Sequence, residues 1–254
     1  MKIFESHTHL DNPQFDKDRQ QVIANCQNAG IECMINVSCD AKTMAGSIKL
    51  AEEHDFIYAT AGFHPHDATA LDLEMVRKAA AHPKVVAIGE IGLDYFRDIS
   101  PRNVQREAFR KQLELAIELK LPVIIHDRDA HDDVLAILKE YKPDKVVFHC
   151  FAGGYFMAQQ IIEFGWHISF TGNITFKNSK LTDIIRMVPA DKYFIETDSP
   201  YLTPHPYRGK RNDPTMLRYI IEEISQIRYQ TPKTIAQQSY ENASKFFGVP
   251  FGVQ

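Results

Sequence analysis

The feature that most narrows the fold is an alternation. Short, apolar, largely β-branched runs recur eight times, at 2–4, 33–37, 57–61, 85–88, 123–125, 146–148, 167–170 and 193–195. Each is followed by a longer segment, several of them clearly amphipathic. Runs this short and branched suit strands covered on both faces, as in a parallel sheet. The clearest helix expectation is 106–119, with Phe109, Leu113, Ala116 and Ile117 on one face. Segments 40–53, 129–141 and 155–164 read the same way. Pro122 and Pro143 stand between a helix and the next strand, where proline stops a helix. Eight βα pairs in 254 residues match a (β/α)8 TIM barrel. A doubly wound open sheet shares the alternation but wants a glycine-rich phosphate turn after its first strand. His7-Thr8-His9 stands there instead. With no linker-like stretch, 1–254 reads as a single barrel domain, closed by an extra C-terminal helix at 231–247.

The formal charge of −4 gives no global surface for a polyanion, so a phosphate substrate would need local cations or bound metal. The first residues carry no apolar leader, and no run reaches the roughly 18 residues of a membrane span. The four cysteines form no CxxC pair and read as reduced thiols. These features imply a cytoplasmic protein with no membrane partner. No apolar stripe demands a protein partner, which makes a monomer the expectation.

Polar residues gather just after the apolar runs, at His7, His9, His64, Glu90, His126, His149 and Asp198. In a TIM barrel the C-terminal strand ends build the active site, so these distant positions are expected to converge. His7 and His9, at i and i+2, leave a strand end on one side and can share a divalent transition metal. Read alone, such a pair is more often two hydrogen-bonded histidines at a strand end. Glu90, amid apolar and glycine residues, is costly to bury unless a cation or metal meets it. Asp198 can ligate a metal and take a proton from water. Four histidines, one glutamate and one aspartate suffice for two divalent ions, which acidify water and stabilise charge on a phosphoryl oxygen. Zinc, manganese and magnesium all suit these donors. His64 suits donation to a substrate oxygen, or a turn held by Pro65. Arg128 suits phosphate binding, or a pairing with Asp132. The run Arg208, Lys210, Arg211 is a cationic loop for substrate phosphate, or a solvated face, with Tyr201 and Tyr207 nearby for stacking on bases. Asp94 and Glu196 read as supporting residues.

The segments SHTHLD (6–11), GFHPHD (62–67), GEIGLDY (89–95), PVIIHDRDA (122–130), HCFAG (149–153), ETDSPYLTP (196–204) and RGKRNDP (208–214) run in order along the chain. Together they resemble the TatD-type metal-dependent hydrolases among the amidohydrolase-like barrels. The resemblance implies metal ligands at His7, His9, Glu90, His126, His149 and Asp198, with Glu90 bridging two ions. It also implies a divalent-cation-dependent deoxyribonuclease, of the 3'-5' exonuclease kind on single-stranded DNA. Glu5 departs from the aspartate that often precedes the histidine pair in that family. The donors suit carbonyl attack equally well, so the alternative is an amidase, an esterase or a D-aminoacyl-tRNA deacylase.

Overall fold

The computed structural model describes residues 1–250. Its strands are β1 (Ile3–Thr8), β2 (Ile31–Asn36), β3 (Ile57–Ala61), β4 (Val85–Asp94), β5 (Val123–Arg128), β6 (Val146–Phe148), β7 (His167–Phe170) and β8 (Tyr193–Ile195). The helices are α1 (Arg19–Asn28), α2 (Ala41–Glu53), α3 (Leu73–Ala80), α4 (Arg102–Leu119), α5 (His131–Tyr141), α6 (Tyr155–Glu163), α7 (Thr182–Met187), α8 (Leu217–Arg228) and α9 (Pro232–Phe247). The strands form one sheet in chain order, with parallel pairing. Eight parallel strands alternating with helices define a TIM barrel, and α9 is the expected extra helix. No helix among the described residues is long and apolar enough to cross a membrane.

By their contacts the residues fall into two compact units, 36–149 on the one hand and 1–35 with 150 onward on the other. In the second of these, α9 lays buried aromatics on β1 and β8. Phe4 meets Tyr240 edge-on at 5.6 Å and Phe247 face-on at 6.1 Å, and Phe194 meets Phe246 at 5.1 Å. Burial of each such ring stabilises by about 1.5–3 kcal/mol, which explains why a helix outside the repeat is retained. Its start is set by Thr231, whose hydroxyl accepts from the Thr234 amide, with Pro232 in the first turn.

In unit 36–149, α2 begins with a capping box in which Asp40 and Thr43 satisfy each other's amides. Helix α4 buries Phe109, Leu113 and Ala116 as its periodicity predicts, but Ile117 is 42% exposed, one step around from Ala116. The same helix also buries two glutamines. Gln112 accepts from the Phe63 amide at 2.7 Å and donates to the Phe63 carbonyl at 3.0 Å. Gln105 does the same for Asp94, at 2.9 and 3.2 Å. Each amide acts as a one-residue strand, closing backbone groups that the sheet leaves open.

Strands β1, β4 and β5 run past their apolar stretches, so Glu90, Asp94, His126 and Arg128 lie on strands rather than after them. Pairing persists because the polar side chains there satisfy one another, as described below. Gly92 sits opposite His126 in this register, with φ +142°, and a Cβ there would come within 2.0 Å of the His126 carbonyl. Only glycine permits that approach.

Two stability tests arise from these contacts. His167 stacks on Phe194 at 5.0 Å, and burial together with the Lys192 charge pulls its pKa from 6.5 to about 4. The unfolded chain therefore binds the extra proton first, and stability falls as pH drops from 6.5 towards 4. The loss amounts to about 3 kcal/mol. Denaturant melts should show this slope in the unmodified protein and a flatter one in His167→Phe. Gln112→Leu, which strips the Phe63 amide and carbonyl of their partners, should cost about 2–3 kcal/mol in the same melts.

Candidate metal centres

The first donor set stands at the ends of β1 and β8. The His7 and His9 Nε2 atoms lie 3.2 Å apart, as the i, i+2 spacing predicts. Asp198 Oδ1 is 3.8 Å from the first and 3.3 Å from the second. Tetrahedral bonds of about 2.1 Å place ligand atoms about 3.4 Å apart, so two nitrogens and an oxygen at this spread fit one divalent ion. The backbone fixes the trio. Asp198 donates its amide to the His7 carbonyl at 3.0 Å, and His9 donates to the Ser199 carbonyl at 2.9 Å. Asp198 holds φ at +55°, a left-handed conformation that aspartate tolerates and that is common where a side chain must be aimed.

Glu5 lies directly beneath. It is fully buried and accepts from the His7 amide (3.1 Å), the Thr197 amide (2.9 Å) and the Thr197 hydroxyl (2.6 Å). Burial pushes its carboxyl well above the usual range, against the pull of the Thr197 hydrogen bonds. Its role is to position His7 and the segment leading to Asp198. Glu196 is likewise bound inward, accepting from the Cys150 amide at 2.7 Å and from the Ser6 hydroxyl at 3.3 Å.

The second donor set, in unit 36–149, converges on Glu90 Oε1. His126 Nδ1 lies 2.7 Å away, His149 Nε2 3.2 Å and His64 Nε2 3.8 Å. His64, Glu90 and His126 bring one donor atom each within the spread of a single ion, and His149 meets the same Glu90 oxygen. Asp94 supports the set from behind. Its Oδ2 is 3.2 Å from His126 Nε2 and 2.8 Å from His66 Nε2, while Oδ1 accepts from the Phe96 and Arg97 amides. Burial works to raise the Asp94 carboxyl. The hydrogen bonds from His126, the Arg97 amide and His66 outweigh it and hold the group far below the usual carboxylate range. A carboxylate on the far nitrogen of a ligating histidine fixes its tautomer and ring orientation. His126 is opposed by burial and raised by its bonds to Asp94 and Glu90.

His64 differs from its neighbours. Its Nδ1 accepts from the His66 amide at 3.1 Å, which puts the proton of the neutral ring on Nε2. Burial, then the His126 charge, hold its pKa well below 6.5, so the ring is neutral. His64 therefore presents an N–H donor beside Glu90, in keeping with a substrate contact.

The expected ligands thus fall into two groups, His7, His9 and Asp198 in one, Glu90, His126 and His149 in the other, and His64 joins the second. The cationic candidates scatter. The Arg128 guanidinium lies over Phe96 at 4.2 Å, and that of Arg208 over Phe176 at 4.0 Å. Lys210 sits 5.4 Å from the Tyr207 ring. Arg211 is a tether, its fork on both Asp18 oxygens at 2.8 and 2.7 Å and on the Gln14 carbonyl. The Tyr201 ring is 6.2 Å from His9. His66 went unassigned from the sequence, although its i+2 spacing from His64 repeats that of His7 and His9.

An eight-stranded barrel whose strand ends carry these donor sets is the framework of a metal-dependent hydrolase. The model of the TatD related DNase family matches residues 4–248, and the chain belongs to that family. It is 43% identical over 253 residues to the uncharacterized metal-dependent hydrolase YabD of Bacillus subtilis, covering 97% of this chain and 99% of that one. It is 37% identical over 259 residues to the 3'-5' ssDNA/RNA exonuclease TatD of a Rahnella species, covering 97% and 98%. The crystal structure of YJJV, a TatD homolog from Escherichia coli K12, superposes with a TM-score of 0.92 at 31% identity over 98% of each chain.

If Asp94 orients His126 as the geometry indicates, Asp94→Asn should weaken divalent-ion binding by roughly 10–100-fold. Calorimetric titration of metal-stripped protein with zinc or manganese measures this directly.

Proposed function

We propose that this chain is a deoxyribonuclease, a 3'-5' exonuclease on single-stranded DNA, formed as one domain over residues 1–254. The carrying observation is the pair of donor sets, His7 and His9 with Asp198 in the first, and in the second His126 and His149 at 2.7 and 3.2 Å from one Glu90 oxygen. Each set would hold one divalent ion, zinc, manganese or magnesium. The name of the Rahnella relative supports the substrate and the direction of attack. None of the four cysteines is in a disulfide, which suits work in the cytoplasm. The reading takes the protein as a monomer.

When bound, such ions acidify water and offset charge on a phosphoryl oxygen. The chain's own residues do the rest. Asp198, beside His7 and His9, takes the proton of the attacking water. His64 donates its Nε2 proton to a phosphoryl oxygen, an interaction that strengthens as charge builds there. Glu90, with His126 and His149, would ligate the second ion. Arg128, Arg208 and Lys210 meet the flanking phosphates, where a guanidinium fork is the stronger partner.

The test is cleavage of end-labelled single-stranded and duplex DNA by metal-stripped protein, with magnesium, manganese or zinc restored. We expect cation-dependent shortening from the 3' end of single strands, absent in His126→Ala. Asp198→Asn should lower kcat by about 10²–10⁴-fold. Stoichiometric metal uptake without cleavage by any cation would overturn the reading.

A further inference from the structure

A cleft of about 1100 Å³ opens between the loop after β6, the 3-10 turn Gly172–Thr175 that follows β7, and α7. Its walls include Tyr155, Phe176, Asn178, Lys180 and Asp183. None of these residues belongs to either donor set. The cleft exceeds the roughly 300–1,000 Å³ of ordinary small-molecule sites, which leaves room for more than one nucleotide.

Its chemistry is that of a single-strand track. Tyr155, at the start of α6, is 42% exposed, and Phe156 beside it is 80% exposed. Across the cleft, Phe176 carries the Arg208 guanidinium over its ring. The Asp183 charge is paired with Arg186 at 3.5 Å, so Lys180 leaves the wall cationic. Aromatic faces with cations beside them are how proteins hold unpaired bases and their phosphates. A duplex, with its bases stacked inside, has no free face to offer.

The cleft also connects to the first donor set through the chain. The loop that begins at Asp198 runs past Tyr201, beside His9, to Arg208, whose guanidinium lies over the Phe176 ring of the cleft wall. It is anchored to the wall where the His205 amide donates to the Thr175 hydroxyl at 2.8 Å. Gly172 allows this seating, since a Cβ there would stand 2.1 Å from the Leu202 carbonyl.

We propose that this cleft binds the nucleotides flanking the scissile phosphodiester in single-stranded DNA, with Tyr155 and Phe176 stacking on bases and Lys180 on phosphate. The assignment rests on the nuclease reading for its position in the reaction. Binding can be measured without turnover.

The first arm is fluorescence anisotropy of labelled oligothymidylate with metal-stripped protein. Tyr155 and Lys180 are on the surface, so Tyr155→Ala and Lys180→Ala should fold normally. Each should weaken binding by about 10-fold, and Lys180→Ala should also lower the salt dependence by roughly 0.7 in log–log slope. The second arm is metal-restored hydrolysis. The KM for oligothymidylate should rise about as much, while hydrolysis of bis(p-nitrophenyl) phosphate, which has no flanking nucleotide, should be unchanged. Unaltered oligonucleotide affinity in both variants would overturn the proposal, as would equal loss on both substrates. If the unmodified protein cleaved neither ester with any cation, the nuclease reading would fall, and anisotropy would still decide the cleft.

Discussion

The Glu5 carboxylate is the contact on which the first donor set depends. It ties the His7 amide to the Thr197 amide and hydroxyl, 192 residues later in the chain. Without that tie, the segment bearing Asp198 has fewer reasons to lie along β1. A buried carboxylate is costly, and three donors converging on it are the compensation. The group two residues before His7 on β1 therefore serves geometry.

The second set is built on the same logic with different donors. Glu90 gathers imidazoles, and Asp94 restrains one of them, His126, from the other side while also holding His66. Behind Asp94, Gln105 closes its backbone, and Gln112 does the same at Phe63, immediately before His64. Rigid support of this kind matters because a ligand displaced by even a fraction of an ångström binds its ion more weakly. The burial of His64, His149, Glu90 and Asp94 is tolerable only while these hydrogen bonds persist.

Much of this was legible in the residues. Runs at 57–61, 146–148, 167–170 and 193–195 coincide with β3, β6, β7 and β8, and the helices from 40 and 231 begin at their Asp40 and Thr231 caps. Of the six expected ligands, His9, His149 and Asp198 stand just past strand ends, whereas His7, Glu90 and His126 lie within β1, β4 and β5. Other features were not legible. Ile117 shares the apolar character of its helix yet faces outward. Gln105 and Gln112 look like surface polar residues, since nothing local distinguishes an amide that will meet an open backbone. Arg211 reads as part of a cationic loop, and only the position of Asp18 makes it a tether.

The sequence by itself determined the barrel, its closing helix and the kind of chemistry, because periodicity and residue type are local properties that survive without neighbours. Which donors come together, which nitrogen of His64 carries its proton, and which cations are tied to a partner were decided by tertiary structure. Those outcomes depend on contacts between residues tens to hundreds of positions apart, where an ångström separates a ligand from a hydrogen-bond donor.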